Sequence, residues 1–184
     1  MSRFFNGTTN YLNSATTPVS AMPMSMAAWG MPRGLSSTPH TLLGVYASGT
    51  DHTLSLDVTQ NSGTARACAG TNSESVAVST VGGATPVWNH YAAVFTSATN
   101  RAAYFNGGNK GASTTSRSPT VDHLTLGASN RNGGLLRYWD GWIAHAAIWN
   151  VALTDAEVFL LAQGVLPYLV RRDGLVGYWP MKNG

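Results

Sequence analysis

Apolar and polar positions alternate in short runs along most of the chain, with clusters of Gly, Pro, Asn and Ser between them. Residues 53–58, Thr-Leu-Ser-Leu-Asp-Val, alternate strictly, and 76–81 keep the same period before stopping at Gly82-Gly83. A period of two sends successive side chains to opposite faces of a strand, so each run predicts a strand with one face toward a core. Further strands are expected at 4–5, 11–12, 24–29, 41–47, 64–69, 87–96, 101–105, 121–126 and 174–179, the last pairing with the N-terminal one. Asn106-Gly107 ends the run 101–105 with the residue pair that suits a type I′ hairpin. Residues 107–120, rich in Gly, Ser and Thr without periodicity, are expected to form an exposed loop.

The period changes only near the end, in LLRYWDGWIAHAAIWNVALTDAEVFLLAQG, residues 135–164. An extended run from Trp139 to Trp149 turns at Asn150 and gives way to a helix expected over 154–163. Thr154 with Glu157 three residues later forms the capping-box pattern. Val158 and Leu161, with Leu160 beside them, supply the apolar face, and Gly164 stands where a C-terminal cap belongs. Many short strands with regular turns and one helix predict an all-β sandwich.

Composition narrows this picture. The 184 residues suit one domain spanning 1–184, large enough for a two-layer core without disulfides. Only 10% of residues are charged, yet 43% are hydrophobic and six are tryptophan, which argues for a packed core rather than disorder. The formal charge of +3 comes from scattered arginines, with Arg171-Arg172 the sole adjacent basic pair, so nucleic acid is not an expected partner. The single Cys68 excludes an internal disulfide framework. No apolar run is long enough to span a membrane, and residues 1–7 lack a signal-peptide pattern, so synthesis in a cytoplasm is expected.

Several blocks, in order, resemble a laminin-G-like domain of the concanavalin A-like lectin superfamily. They are Phe5-Asn6-Gly7 with Tyr11, the run 24–32 anchored by Trp29, and Trp88-Asn89-His90-Tyr91-Ala92. Tyr104-Phe105-Asn106-Gly107, Leu124-Thr125-Leu126-Gly127, Asp140-Gly141 through Trp149-Asn150, and Ala152-Leu153-Thr154 with Glu157 complete the series. The resemblance implies a two-sheet antiparallel jelly roll with one short helix near 154–163. It also implies that Trp29, Trp88 and Trp149 pack in the core or between the sheets.

Candidate chemistry is sparse. Glycan-cleaving enzymes of this superfamily resemble one another in a closely spaced carboxylate pattern, and retaining hydrolysis needs two carboxyl groups about 5 Å apart. The chain has two glutamates, Glu157 in the capping box and Glu74 in a polar turn, while Asp51 and Asp57 lie six residues apart. There is no G-x-S-x-G elbow, and the five histidines lack zinc-ligand spacing. His145 is expected to be a hydrogen-bonded strand residue. Many members of the superfamily this chain resembles hold calcium at the sandwich rim, so the resemblance implies a candidate calcium site, which would require six to eight oxygens. The loop 128–132 carries no acid, leaving Asp140 with backbone carbonyls as the surviving candidate ligand.

What remains is a recognition surface. Arg131, Arg137, Tyr138, Trp139 and Trp142 are residue types that dominate interfaces. Trp139 and Trp142, three apart on an extended segment, are expected on opposite faces. Phage structural proteins often contain a domain of the kind this chain resembles, so the resemblance implies, as the leading expectation, a non-catalytic, surface-displayed virion protein of a phage, part of a head decoration, tail fibre or spike. Its expected partners are its own copies and capsid or tail proteins, with host glycans in addition. The alternative is a carbohydrate-binding module of an extracellular protein.

Overall fold

The computed structural model describes residues 1–34, 38–59 and 62–181. In chain order the strands are β1 (Arg3–Asn6), β2 (Leu12–Ser14), β3 (Met24–Pro32), β4 (His40–Tyr46), β5 (Thr53–Val58), β6 (Thr64–Gly70), β7 (Glu74–Gly82) and β8 (Asn89–Ser97). They continue with β9 (Asn100–Phe105), β10 (Gly108–Ser113), β11 (His123–Leu126), β12 (Ser129–Arg131), β13 (Gly134–Leu136) and β14 (Asp140–Trp149). Helix α1 (Asp155–Ala162) and β15 (Leu175–Trp179) close the series.

Two antiparallel sheets face one another, as the alternating pattern requires. One runs β1-β14-β3-β8-β9-β10, with β15 also on β14; the other runs β2-β11-β4-β5-β6-β7. The inward parity of each sheet builds the core: Met24, Met26 and Ala28 from β3, Tyr91 and Phe95 from β8, Leu54, Leu56 and Val58 from β5. Strands β12 and β13 form a separate hairpin, with β12 lying against β4 and β5.

Two sequence expectations change. The stretch 107–120 is not all loop, because Gly108–Ser113 is a strand on the edge of the first sheet. Asn106 and Gly107 both have positive φ, 50° and 77°, and the turn they make returns the chain alongside β9. As an edge strand with mostly exposed positions, β10 needs no apolar alternation, so periodicity could not reveal it. The final strand pairs with β14 rather than with β1. β14 is long enough for both: β1 lies along 140–143 and β15 along 146–149.

The helix follows its local code. Thr154 accepts from the Glu157 N–H while the Glu157 carboxylate accepts from the Thr154 N–H. At the other end the Gly164 N–H bonds to Leu161 O and the Val165 N–H to Leu160 O, a Schellman closure. Val158 and Leu161 are buried, whereas Leu160 turns outward and is 45% exposed. No helix among the described residues is long and apolar enough to cross a membrane.

Candidate functional site

The outward parity of the first sheet is also largely apolar. Ala27 on β3, Ala92 and Val94 on β8, Tyr104 on β9 and Trp149 on β14 form a second buried cluster beneath Val158 and Leu161 of the helix. The segment joining β14 to the helix is fixed by Ser25, whose hydroxyl donates to Val151 O at 2.8 Å and accepts from the Leu153 N–H at 2.9 Å. The Trp149 indole donates to Val170 O at 2.9 Å and pins the chain that follows the helix. Beside this cover lies a cleft of about 480 Å³. Ala27, Trp29, His90, Ala144 and His145 line it from the strands, Trp88 from just before β8, and residues 164–167 after the helix.

Pairing register brings these groups together. Trp29 sits opposite His90 on one side and opposite Ala144 on the other. The Trp29 and His90 rings meet edge to face, with centroids 5.5 Å apart and planes at 65°. His90 is 1% exposed, its backbone N–H donates to Asn106 Oδ1 at 2.8 Å, and its ring Nδ1 has no hydrogen-bond partner. Burial pushes its pKa down to about 3, so the imidazole is neutral at ordinary pH. His145 occupies the register shift between Ala144 and Ala147 with φ of 50°, a left-handed conformation that takes its ring out of the strand's normal alternation. That ring stacks on Tyr178 at 6.0 Å, with its Nδ1 2.6 Å from the phenol oxygen. Burial, and then the amino group of Met1, hold its pKa below the usual histidine value.

Small side chains on the floor leave room for a ligand between two indoles and two imidazoles. Among the described residues no carboxylate, guanidinium or lysine ammonium lines the cleft. Aromatic walls with a few fixed polar atoms suit a ligand that has one apolar face and hydroxyl groups on its edges.

The residues singled out from sequence lie elsewhere and do other work. Arg131 and Arg137, at the two ends of the β12–β13 hairpin, converge on Glu74 of β7. Arg131 grips Asp51 through two bonds of 2.6 and 2.7 Å, and Arg137 grips Glu74 at 2.6 and 3.0 Å and the fully buried Asp57 at 2.9 Å. Both guanidiniums, expected from sequence as recognition residues, are engaged in clamping the hairpin across the outward face of the second sheet. Burial raises the Glu74 carboxyl, but Arg137, Arg66 and Arg131 more than reverse this and hold it below the usual range. Asp51 is likewise lowered by its bond to Arg131.

The reading of Trp139 is corrected. It is 0% exposed, inside the core, while Trp142 lies half-buried on the outward side with its ring 5.0 Å from Phe4. The two do point to opposite faces. Tyr138 is half-buried, its ring 6.3 Å from that of Tyr11. Asp140 faces Arg33, 3.1 Å from its guanidinium. Among the described residues one trio of potential metal ligands lies within 4.8 Å, Asp57, Cys68 and Glu74, and it does not include Asp140. The Arg137 guanidinium already bonds both carboxylates of that trio. Burial raises the Cys68 thiol, which points its Sγ at Asp57 from 3.2 Å as a neutral donor. That donor set holds an arginine cation and suits a metal poorly.

Of the three tryptophans expected in the interior, only Trp149 is fully buried. Trp29 is half-buried and Trp88 is 36% exposed, and both line the cleft. The signal was present in β3. Trp29 has the opposite parity to Met24, Met26 and Ala28, so it faces out if those face in. For His145 the positive φ leaves no trace in a histidine codon position, and alternation alone misplaces it.

A family model of the laminin G type, described as the concanavalin A-like lectin/glucanases superfamily, matches residues 6–159. No curated protein matches the chain. Among solved structures, the native heptameric SAP-like pentraxin from Limulus polyphemus superposes with a TM-score of 0.64 at 19% identity, covering 88% of this chain and 81% of that one. Domain 4 of AbnA, an extracellular arabinanase from Geobacillus stearothermophilus solved with arabinotriose, gives 0.66 at 18% identity, covering 89% and 87%. The enzymatically active domain of tailspike protein 2 from bacteriophage CBA120 gives 0.67 at 15% identity, covering 97% of this chain but 29% of that one. At these identities the structures establish the fold, and with the family match they place the chain in the concanavalin A-like lectin/glucanases superfamily.

Proposed function

We propose that the chain is a non-catalytic glycan-binding protein whose cleft on the outward face of the first sheet holds a sugar against Trp29 and Trp88. The observation that carries this reading is the cleft itself: two partly exposed indoles over a floor of alanines, with two imidazoles among them. The C–H face of a pyranose or furanose matches an indole face, and its hydroxyls match ring nitrogens. The fold's use in the arabinanase domain solved with arabinotriose supports the same reading. Binding without turnover is favoured by where the acids lie. Glycoside cleavage needs a carboxyl pair at the bond. Here Asp51, Asp57 and Glu74 are tied to Arg131 and Arg137, and Glu157 caps the helix.

A glycan array probed with the wild-type chain and with Trp29→Ala tests this. We expect hits for the wild type, weakened about fivefold or more in the variant, as removal of a stacked aromatic costs ~1–3 kcal/mol. No reducing ends should appear on incubation. A blank array, or equal binding by Trp29→Ala, sinks the reading.

A second reading concerns where the protein works: displayed on a phage particle, on the virion surface, assembling with its own copies and with capsid or tail proteins. The extent of the tailspike superposition, 97% of this chain, favours it. Native mass by light scattering is the check. A closed oligomer agrees with it, and a strict monomer with no affinity for particles argues for an isolated extracellular module.

A further inference from the structure

We infer that the cleft takes an uncharged sugar and that His90 selects it through a hydrogen bond for which the buried ring has no protein partner. This rests on the glycan-binding reading and narrows it.

The charge distribution carries the first half. A sugar bearing a carboxylate or sulfate loses hydration on entering a cleft and needs a cation in return. Among the described residues, the side chains around this cleft offer none. Five of the nine arginines are paired with acids elsewhere: Arg33 with Asp140, Arg66 and Arg137 with Glu74, Arg131 with Asp51, Arg171 with Glu157, while the Arg3 guanidinium lies over the Phe5 ring. Lys110 pairs with Asp155. Among the described residues that line the cleft, the one formal charge is the amino group of Met1, on a residue 79% exposed, where water and salt screen it. His145 is held below its ordinary pKa and His90 is neutral, so neither supplies a cation near pH 7.

The second half follows from His90. Buried polar atoms are nearly always paired, and an unpaired one in a native structure calls for an explanation. The His90 ring is held by the Trp29 edge and by the strand register, and it lines the cleft. A neutral imidazole in that position offers a sugar hydroxyl a donor or an acceptor according to its tautomer. A hydroxyl that meets it gains one bond in a dry setting, while a sugar lacking a hydroxyl there leaves the ring unsatisfied.

The test uses the full chain and tryptophan fluorescence against two panels, neutral oligosaccharides of hexoses and pentoses, and sialylated, uronate-containing or sulfated ones. We expect saturable binding in the neutral panel, with the acidic panel weaker throughout. Histidine ring ¹⁵N signals of the wild type should show the His90 ring shifting on addition of the best neutral sugar. His90→Phe should weaken that sugar by a factor of roughly 3 to 10, one hydrogen bond's worth, and His90→Gln should restore part of it. Stronger acidic binding overturns the inference while leaving glycan binding intact. An unmoved His90 ring signal removes the selector role without needing either variant to fold. Silence in both panels removes the glycan reading itself.

Discussion

Replacing Arg137 with alanine tests how the β12–β13 hairpin is held. The guanidinium contacts two acids at once, Asp57 at 2.9 Å and Glu74 at 2.6 Å, and Asp57 is 0% exposed. Removing it leaves the Asp57 carboxylate buried with the Thr41 hydroxyl at 2.8 Å and the Cys68 thiol at 3.2 Å as neutral donors. Breaking a buried pair by deleting one partner costs about 3–5 kcal/mol, and the surviving hydroxyl bond places this case near the lower end. For a domain of this size each kcal/mol moves Tm by about 2–4 °C, so Arg137→Ala should melt roughly 6–12 °C lower near pH 7. Acid should narrow the gap. Because Glu74 has a lowered pKa in the folded chain, its stabilisation is present above its unfolded value near 4.5 and is lost as pH falls through the folded one. Wild type should therefore lose stability below about pH 4.5 faster than Arg137→Ala does. Thermal melts followed by circular dichroism at pH 7 and in acid make both comparisons. A loss under about 1 kcal/mol at pH 7, the size of an exposed surface pair, would refute the clamp.

Two further substitutions probe the frame around the site. Gly127→Ala places a methyl 2.3 Å from the Phe5 ring at a φ of 78°, so overpacking and left-handed strain together should cost about 2–5 kcal/mol by chemical denaturation. Thr154→Ala removes the hydroxyl that accepts from the Glu157 N–H but keeps the backbone N–H that donates to the Glu157 carboxylate, and should lower stability by about 1 kcal/mol in the same assay, leaving sugar affinity unchanged.

What the sequence revealed tracks how local each interaction is. The capping box spans three residues and the Asn106-Gly107 turn two, so both were legible as written. The strands with one buried face were legible from their period, whereas β10, with little to bury, was not. The arginine clamp was invisible because its partners are remote in sequence: Arg131 reaches Asp51 across 80 positions and Arg137 reaches Glu74 across 63. Arginines beside aromatic residues read as a recognition surface until the fold supplies their acids. The cleft lay between these extremes. By sequence its indoles read as core anchors, and only the parity of β3 separates an inward tryptophan from an outward one. The helix covers one part of that apolar face and leaves the other open, a division set by where the chain turns after Trp149.

We propose the open part of the outward face of the first sheet as the place where a sugar binds. The most direct measurement is a map of backbone amide and indole NMR shifts while the wild-type chain is titrated with its best-binding neutral oligosaccharide. Shifts are expected to gather at Trp29, Trp88, His90, His145 and residues 164–167, with the hairpin at Arg131 and Arg137 unmoved. Shifts gathered at that hairpin, with the cleft silent, would contradict it.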